Sequence, residues 1–477
     1  MSGAIFATDI SYPAIIAHEM GLRGGRFRYP CFNSYGGLPF NLESYLRRLE
    51  ERYGESLSNW ELLGAGFRLR GWMDEAEDYW ERDGGAKPAT VDTSYHNLAS
   101  WGMTVDDVLA IKASDCIERI RTAEDDLFQQ LPEHAFFRTL LRVLNPTQDD
   151  NYGNRTVLDR LRDLASDGGI ENLIVNLGAN NALGTITRLD DGLKETEDDF
   201  FKNPLESRSK YNLWKPQHFE KVYKKLAEAL DTMDIQRVFL CTVPHVTIAP
   251  LARGVGRGLA SRMSDKRYFK YYTYYWITDE VFDPARHPHL TGADAKHIDS
   301  YIDRYNQTIR DIAEERQSAG REWFVVDICT ALERVAYRRY REVGLEAPGG
   351  SYEFPSEWEE ALTARGLKEL TTEFLQTSEG RVARGGLFSL DGIHPTTMGY
   401  GLMAQEVINV MQKAGVPFYF ENGRRRTEPV TVNFERLLRR DTLVRMPPKL
   451  MDDILNILKW LEDWVGITAL LRALNGS

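Results

Sequence analysis

The chain has 477 residues, enough for two or three domains, with ordinary hydrophobic (42%) and charged (27%) fractions. Its formal charge of -12 argues against general nucleic-acid binding, which needs a basic face for phosphates. No apolar run reaches membrane-spanning length, residues 1–20 lack the order of a signal peptide, and the four cysteines form no C-x-x-C pair.

Taken from the N-terminus, "SYPAIIAHEMG" (11–21) reads as a helix with Ser11 as N-cap, Pro13 in the first turn and Gly21 at its end. "TSYHNLAS" (93–100) is expected to form a strand and loop. Three nearly continuous β-branched runs follow: "NLIVNLG" (172–178), "QRVFLCTV" (236–243) and "EWFVVDI" (322–328). Strands buried on both faces of a parallel sheet have this composition. An amphipathic stretch precedes each run, so the pattern predicts an α/β fold, a three-layer α/β/α sandwich. Polar, Gly- and aromatic-rich segments near 40–90, 187–215, 255–300 and 335–388 read as long insertions that build lids and pocket walls.

Within them, "RYFKYYTYYW" (267–276) is either a packed strand or the wall of an acyl or aromatic pocket. "RGVGRG" (253–258) lacks the strand–Gly–helix setting of a phosphate loop and reads as an ordinary loop. His287 and His289 have no acidic partner at ligand spacing, so no metal site is assigned. Two domains are expected: 1–415, and a C-terminal extension, 416–477. In the latter, residues 424–449 hold eight basic and three acidic side chains ahead of an amphipathic helix. That helix is expected to dock on its own domain or a partner subunit, with self-association or contact with an anionic membrane surface as the other uses of such a face.

Chemistry concentrates in "SLDGIHPTTMGYGLMA" (389–404). On a loop, the three-residue offset lets Asp391 accept the Nδ1–H of His394, leaving Nε2 as a general base. Pro395 is expected to start the following helix. Taken alone, D-x-x-H-P is more simply a histidine at a helix start. Three other segments fit one scheme with it. "IVNLGANNALG" ends a strand with Gly178 and then Asn180, whose amide can donate to a developing oxyanion. Gly102, between a predicted strand and a helix start, offers a backbone N–H as second donor. "CTVPHVTIAP" leaves its strand through Pro244, which suits a bend at the carboxyl edge where open α/β sheets bind ligands.

Together these blocks resemble the SGNH, or GDSL-type, serine hydrolase family over most of residues 1–415. Asp391-Gly392-Ile393-His394-Pro395 is similar to its final block. Gly178-Ala179-Asn180-Asn181 is similar to its Gly-x-Asn-Asp block, with Asn181 in place of the Asp, and Gly102 stands for the second-block glycine. The family's Gly-Asp-Ser block is missing, although "SYPAIIAHEMG" resembles the helix that follows it. The resemblance implies a flavodoxin-like parallel sheet lacking its first strand. It also implies a serine esterase or acyl hydrolase working through an acyl-enzyme on a small-molecule or lipid ester, without metal or cofactor. Asp391 and His394 would be catalytic, and Gly102 and Asn180 would form the oxyanion hole. Ser2 has no strand behind it and Ser11 is better read as a cap, so no nucleophile is assigned within the chain. It is expected upstream of Met1, leaving this chain inactive. A signal could lie there too, so localisation stays open although the given sequence reads as cytoplasmic. The alternative is a non-catalytic pseudo-hydrolase or binding protein that keeps the cleft.

Overall fold

The three β-branched runs become three parallel strands, β1 (Ile170–Val175), β2 (Ile235–Cys241) and β6 (Glu322–Val326), ordered β1-β2-β6. The structure is a computed structural model describing residues 8–31, 41–82, 91, 93–121, 134–149, 153–202, 204–367, 369–453, 455 and 457–458. Val175 stands opposite Leu240, and Leu240 opposite Val325. In the middle strand Val238, Phe239, Leu240 and Cys241 are all buried, whereas Leu173 and Ile174 of β1 are half-buried. That gradient matches position: β2 has a strand on each side, and no strand among the described residues pairs with the outer edge of β1. A second, antiparallel sheet joins β3 (Ala252–Gly254), β4 (Tyr271–Tyr274) and β5 (Leu290–Thr291), and β7 (Gln376–Ser378) and β8 (Arg381–Arg384) form a hairpin.

The helices that position the site are α1 (Tyr12–Glu19), α2 (Val157–Ser166), α3 (Asn180–Thr187), α4 (Pro216–Asp231), α5 (Gly292–Ser318), α6 (Thr397–Lys413) and α7 (Phe434–Arg440). Capping boxes start α2 and α5, with Thr156 paired to Asp159 and Thr291 to Asp294. The period of 3.6 then fixes which faces bury. In α4 these are Phe219, Val222, Tyr223, Leu226 and Leu230; in α5, Ile298, Ile302, Tyr305, Ile309 and Ile312. The two faces meet, with the Phe219 and Tyr305 rings stacked 4.2 Å apart. Both α5 and α6 pack on β6, and α6 also packs on α1 and α7. The architecture is mixed α/β around a small parallel sheet.

Several expectations need correction. Residues 93–100 form no strand. Their backbone turns instead to Arg28, whose carbonyl accepts the N–H groups of His96 and Asn97 at 2.8 and 3.1 Å. A short polar run with few β-branched residues joins a sheet only where a neighbouring edge receives it. Ser11 holds the N-cap position of α1, but its side chain makes no capping bond. Pro395 does not start α6. Thr396 is the N-cap, its hydroxyl accepting the Gly399 N–H at 3.2 Å, and Pro395 lies one residue outside. The 40–90 insertion is largely helical (Leu42–Tyr53 and Asn59–Glu81).

"RYFKYYTYYW" supplies the packed strand β4, and Tyr272 and Tyr275 line a cavity. Beyond 415, Val416, Phe418, Val430, Val432, Phe434, Leu437 and Leu438 are buried. Gln405 of α6 ties this stretch down, accepting from Val432 N–H at 2.8 Å and donating to Val430 O at 3.0 Å. The described part of the tail therefore docks on its own chain. Most of the amphipathic segment after it lies outside the described residues.

Gly178 tests how tightly the exit of β1 is packed. Its φ is +126°, and a Cβ there would lie 2.4 Å from Val243 Cγ2 and 3.2 Å from Phe219. Overpacking of this kind costs about 1–3 kcal/mol. Gly178→Ala is expected to lower the urea midpoint accordingly with an unchanged m-value, read by equilibrium unfolding.

Candidate functional site

The loop between Ser389 and Pro395 closes on itself. Ser389 N–H donates to His394 O at 2.7 Å, and Gly392 N–H to Ser389 O at 3.0 Å. Asp391 sits at the focus. Its Oδ1 accepts from Ser389 Oγ (2.7 Å), Ile393 N–H (2.8 Å) and His394 N–H (2.9 Å), and its Oδ2 accepts from His394 Nδ1 at 2.6 Å. A carboxylate that accepts four hydrogen bonds is held in its ionised form. Burial pushes the Asp391 carboxyl up, but the His394 charge and these bonds outweigh it and hold the group below its ordinary value. Burial likewise pushes His394 down, and the Asp391 charge and hydrogen bond carry it above its ordinary value. Nε2 of His394 bonds to no described residue, and the side chain is 34% exposed. An oriented imidazole with one open nitrogen results.

Two contacts fix the loop's height above the sheet. Gly392 has φ +69°, and a Cβ there would fall 2.8 Å from the Leu251 nitrogen, so only glycine admits the Leu251 N–H···O=C Gly392 bond of 3.0 Å. Tyr275 donates its hydroxyl to Leu390 O at 2.6 Å, while its own N–H donates to Leu251 O at 3.0 Å. The dyad thus rests on the segment that leaves the carboxyl end of β2.

The oxyanion candidates also meet. Asn180 is the first residue of α3, and its Nδ2 donates to Met103 O at 2.9 Å, next to Gly102 at φ +73°. One amide proton of Asn180 stays available, and the Gly102 N–H donates to no described residue. The Gly102 carbonyl is held by Arg208 Nη2 at 2.9 Å. Asn181, the departure from the family pattern, is wholly buried; its Oδ1 accepts from Val105 N–H at 3.4 Å. Asp391 and His394 are thus joined directly and Asn180 reaches the residue after Gly102, while among the described residues no hydrogen bond joins the two pairs. A cavity of about 40 Å³ beside Asn180 and Asn181 does not reach His394. What the pairs share is their edge: Asn180 follows β1, and the dyad rests beyond β2, both at carboxyl ends. Ser2 lies outside the described residues, and Ser11 heads α1.

A second histidine–carboxylate cluster was not read from the sequence. His245 donates from Nδ1 to Glu333 and from Nε2 to Asp303 at 3.1 Å. Arg339 bridges Glu333 (2.8 Å) and Asp299 (2.9 Å), and Asp299 also accepts from Thr247 and Tyr268. Burial pushes His245 down, yet the surrounding acids hold it well above its ordinary value. With both nitrogens donating, His245 is a buried cation and not a base. Its acids come from 299, 303 and 333, so no local spacing signals the cluster. Among the described residues, no group of three or more His, Cys, Asp or Glu gathers as a metal site.

Linkage fixes the pH behaviour of the dyad. Asp391, lowered from 3.8, contributes stability above that value and loses it as pH falls through its folded pKa. His394, raised from 6.5, contributes below that value and loses it as pH rises through its folded pKa. The pair's contribution is therefore fully present between 3.8 and 6.5. Followed by NMR, the His394 ring is expected to titrate above 6.5 in the unmodified protein and to fall below that protein's value in Asp391→Asn. An unchanged midpoint would exclude the carboxylate as the cause. Compared with known proteins, the chain matches no family model, and no match was found among curated proteins or solved structures, so the functional reading rests on this geometry.

Proposed function

We propose that the chain carries the acid–base half of a serine esterase or related acyl hydrolase of the SGNH type. The observation that carries this reading is His394 with Nδ1 tied to Asp391 and Nε2 open. A serine hydroxyl attacks the ester carbonyl and passes its proton to Nε2, and the imidazolium then protonates the leaving alcohol. Water repeats the sequence on the acyl-enzyme. Gly102 N–H and Asn180 Nδ2 are assigned to the oxyanion.

The nucleophile is proposed on a strand that pairs with the outer edge of β1, completing a three-layer, flavodoxin-like sandwich. Support comes from that edge: no described strand covers it, Leu173 and Ile174 are half-buried, and Asn172 Oδ1 is buried without a hydrogen-bond partner. A buried polar atom left in this state costs about 1–3 kcal/mol. The second reading is a binding protein that keeps the cleft without the chemistry. It is favoured by one fact: no described hydroxyl or thiol bonds to Nε2.

A chain extended at its N-terminus should react with a serine-directed fluorophosphonate. In it, His394→Ala should abolish ester cleavage with the circular dichroism spectrum preserved, and Asn180→Ala should lower kcat about 10²–10³-fold. Full turnover in His394→Ala would remove the dyad from the mechanism. The 477-residue chain alone should show no histidine-dependent turnover; measurable turnover would place the nucleophile inside it.

A further inference from the structure

Behind the dyad lies a cavity of about 310 Å³, within the usual range of small-molecule pockets. It is lined by "RGVGRG", which runs from the end of β3 into a loop, by Tyr272 of β4 and its flanks, and by Ala336, Arg338, Arg339 and Thr372, Glu373, Phe374 and Gln376. Five of its lining residues are arginines (253, 257, 267, 338 and 339), against three carboxylates, Asp279, Glu280 and Glu373.

Most of these charges are already answered. Arg253 pairs with Asp279, Arg267 with Asp265, and Arg339 with Asp299 and Glu333. Glu373 lies 3.9 Å from Arg384, and Glu280 is exposed. Three guanidinium groups converge on Glu342: Arg257 at 3.9 Å, Arg338 at 3.5 Å and the fully buried Arg262, which is not itself a lining residue. Glu373 faces Arg257 and Arg338 as well, and the cavity lining keeps more arginines than carboxylates, five to three.

The crowding is real in the geometry. Arg262 and Arg338 stand 3.3 and 4.5 Å from the centroid of the Phe269 ring. Arg338 spends one donor each on Gly254 O (3.0 Å) and Gly256 O (2.6 Å), while its Nε is buried with no hydrogen-bond partner. Burial and the nearby Arg253 and Arg257 lower the Arg338 pKa, so an added anion would relieve it. Arg257 is 56% exposed and makes no hydrogen bond to a described residue, leaving its fork free to turn inward. Beyond the charges, the lining is aromatic: Phe269, Tyr272, Tyr275 and Phe374.

Guanidinium forks fit phosphate oxygens in pairs, and a phosphate monoester offers three terminal oxygens where a carboxylate offers two. From Arg257 and Arg338 on a lining richer in arginines than in carboxylates, beside an aromatic wall, we infer that this cavity is a binding site for a phosphate monoester borne on an apolar or aromatic group. The sequence offered "RGVGRG" as a loop. Its side chains, and not its backbone amides, make the anion site. The inference does not rest on the hydrolase reading.

Isothermal titration of the full chain with phenyl phosphate tests it, with inorganic phosphate and benzoate as comparison ligands. Phenyl phosphate should bind saturably and tighter than either: benzoate lacks the second charge, and inorganic phosphate the ring. Arg257→Gln should weaken it by about tenfold or more while leaving the unliganded thermal midpoint in place. Arg338→Lys, which keeps the charge but loses the fork, should weaken it too. Arg424→Gln, on the exposed tail, should have no effect. Absence of saturable binding would overturn the inference. So would inorganic phosphate or benzoate binding as tightly as phenyl phosphate, or affinity that ignores both lining substitutions.

Discussion

The buried amide of Asn306 grips Val243 at both ends, accepting its N–H at 2.6 Å and donating to its carbonyl at 2.9 Å. Val243 has just left the central strand, where ladder pairing stops and backbone groups would otherwise be orphaned in the core. Satisfying them lets the chain run on from 242 to 251 with only a short 3-10 turn at Val246–Ile248. Nearly everything at this end of the molecule hangs from that run. Gly178 at the exit of β1 packs on Val243, His245 anchors the ion cluster, and Leu251 holds Gly392 and Tyr275.

His245 and His394 show how the same side chain is put to opposite uses. His245 is enclosed by acids from α5 and from the helix Ile328–Arg334, and it is a fixed cation that offsets Glu333 and Asp303. Taking such charges out of water is costly, and the cluster persists because each carboxylate is matched by a guanidinium or imidazolium. His394 has one acid, from its own loop, and turns its other nitrogen outward. The difference lies in how many acids surround the ring, not in the ring. Motifs of the D-x-x-H kind report the second arrangement and are blind to the first.

Legibility in the sequence follows the same division between local and distant causes. The three strand runs, the faces of α4 and α5 and the Asp391–His394 bond are set by residues close in the chain, and each could be read there. Gly102 and Asn180 were named separately, and only the fold sets Asn180 Nδ2 on Met103 O. The helix start is a local exception, taken from Pro395 by the next residue, Thr396, whose hydroxyl accepts the Gly399 N–H. Most of what was missed is long-range: residues 93–100 lack a receiving edge, and Glu342 collects arginines from 257, 262 and 338. Convergence of that sort leaves no period or spacing behind it.

Tyr275 has a further consequence. Its ring lines the arginine cavity, packing 4.0 Å from Phe374, while its hydroxyl and its N–H bond to Leu390 and Leu251, the two supports of the dyad loop. One rigid side chain is thus a party to both places. Whatever stabilises one position of that ring on the cavity side also biases the height of the loop on the other. Thermodynamic reciprocity then requires the coupling to run backwards with equal strength. A molecule seated against the open nitrogen of His394 and one seated among the arginines would sense each other through a single phenol, with no motion of the sheet between them.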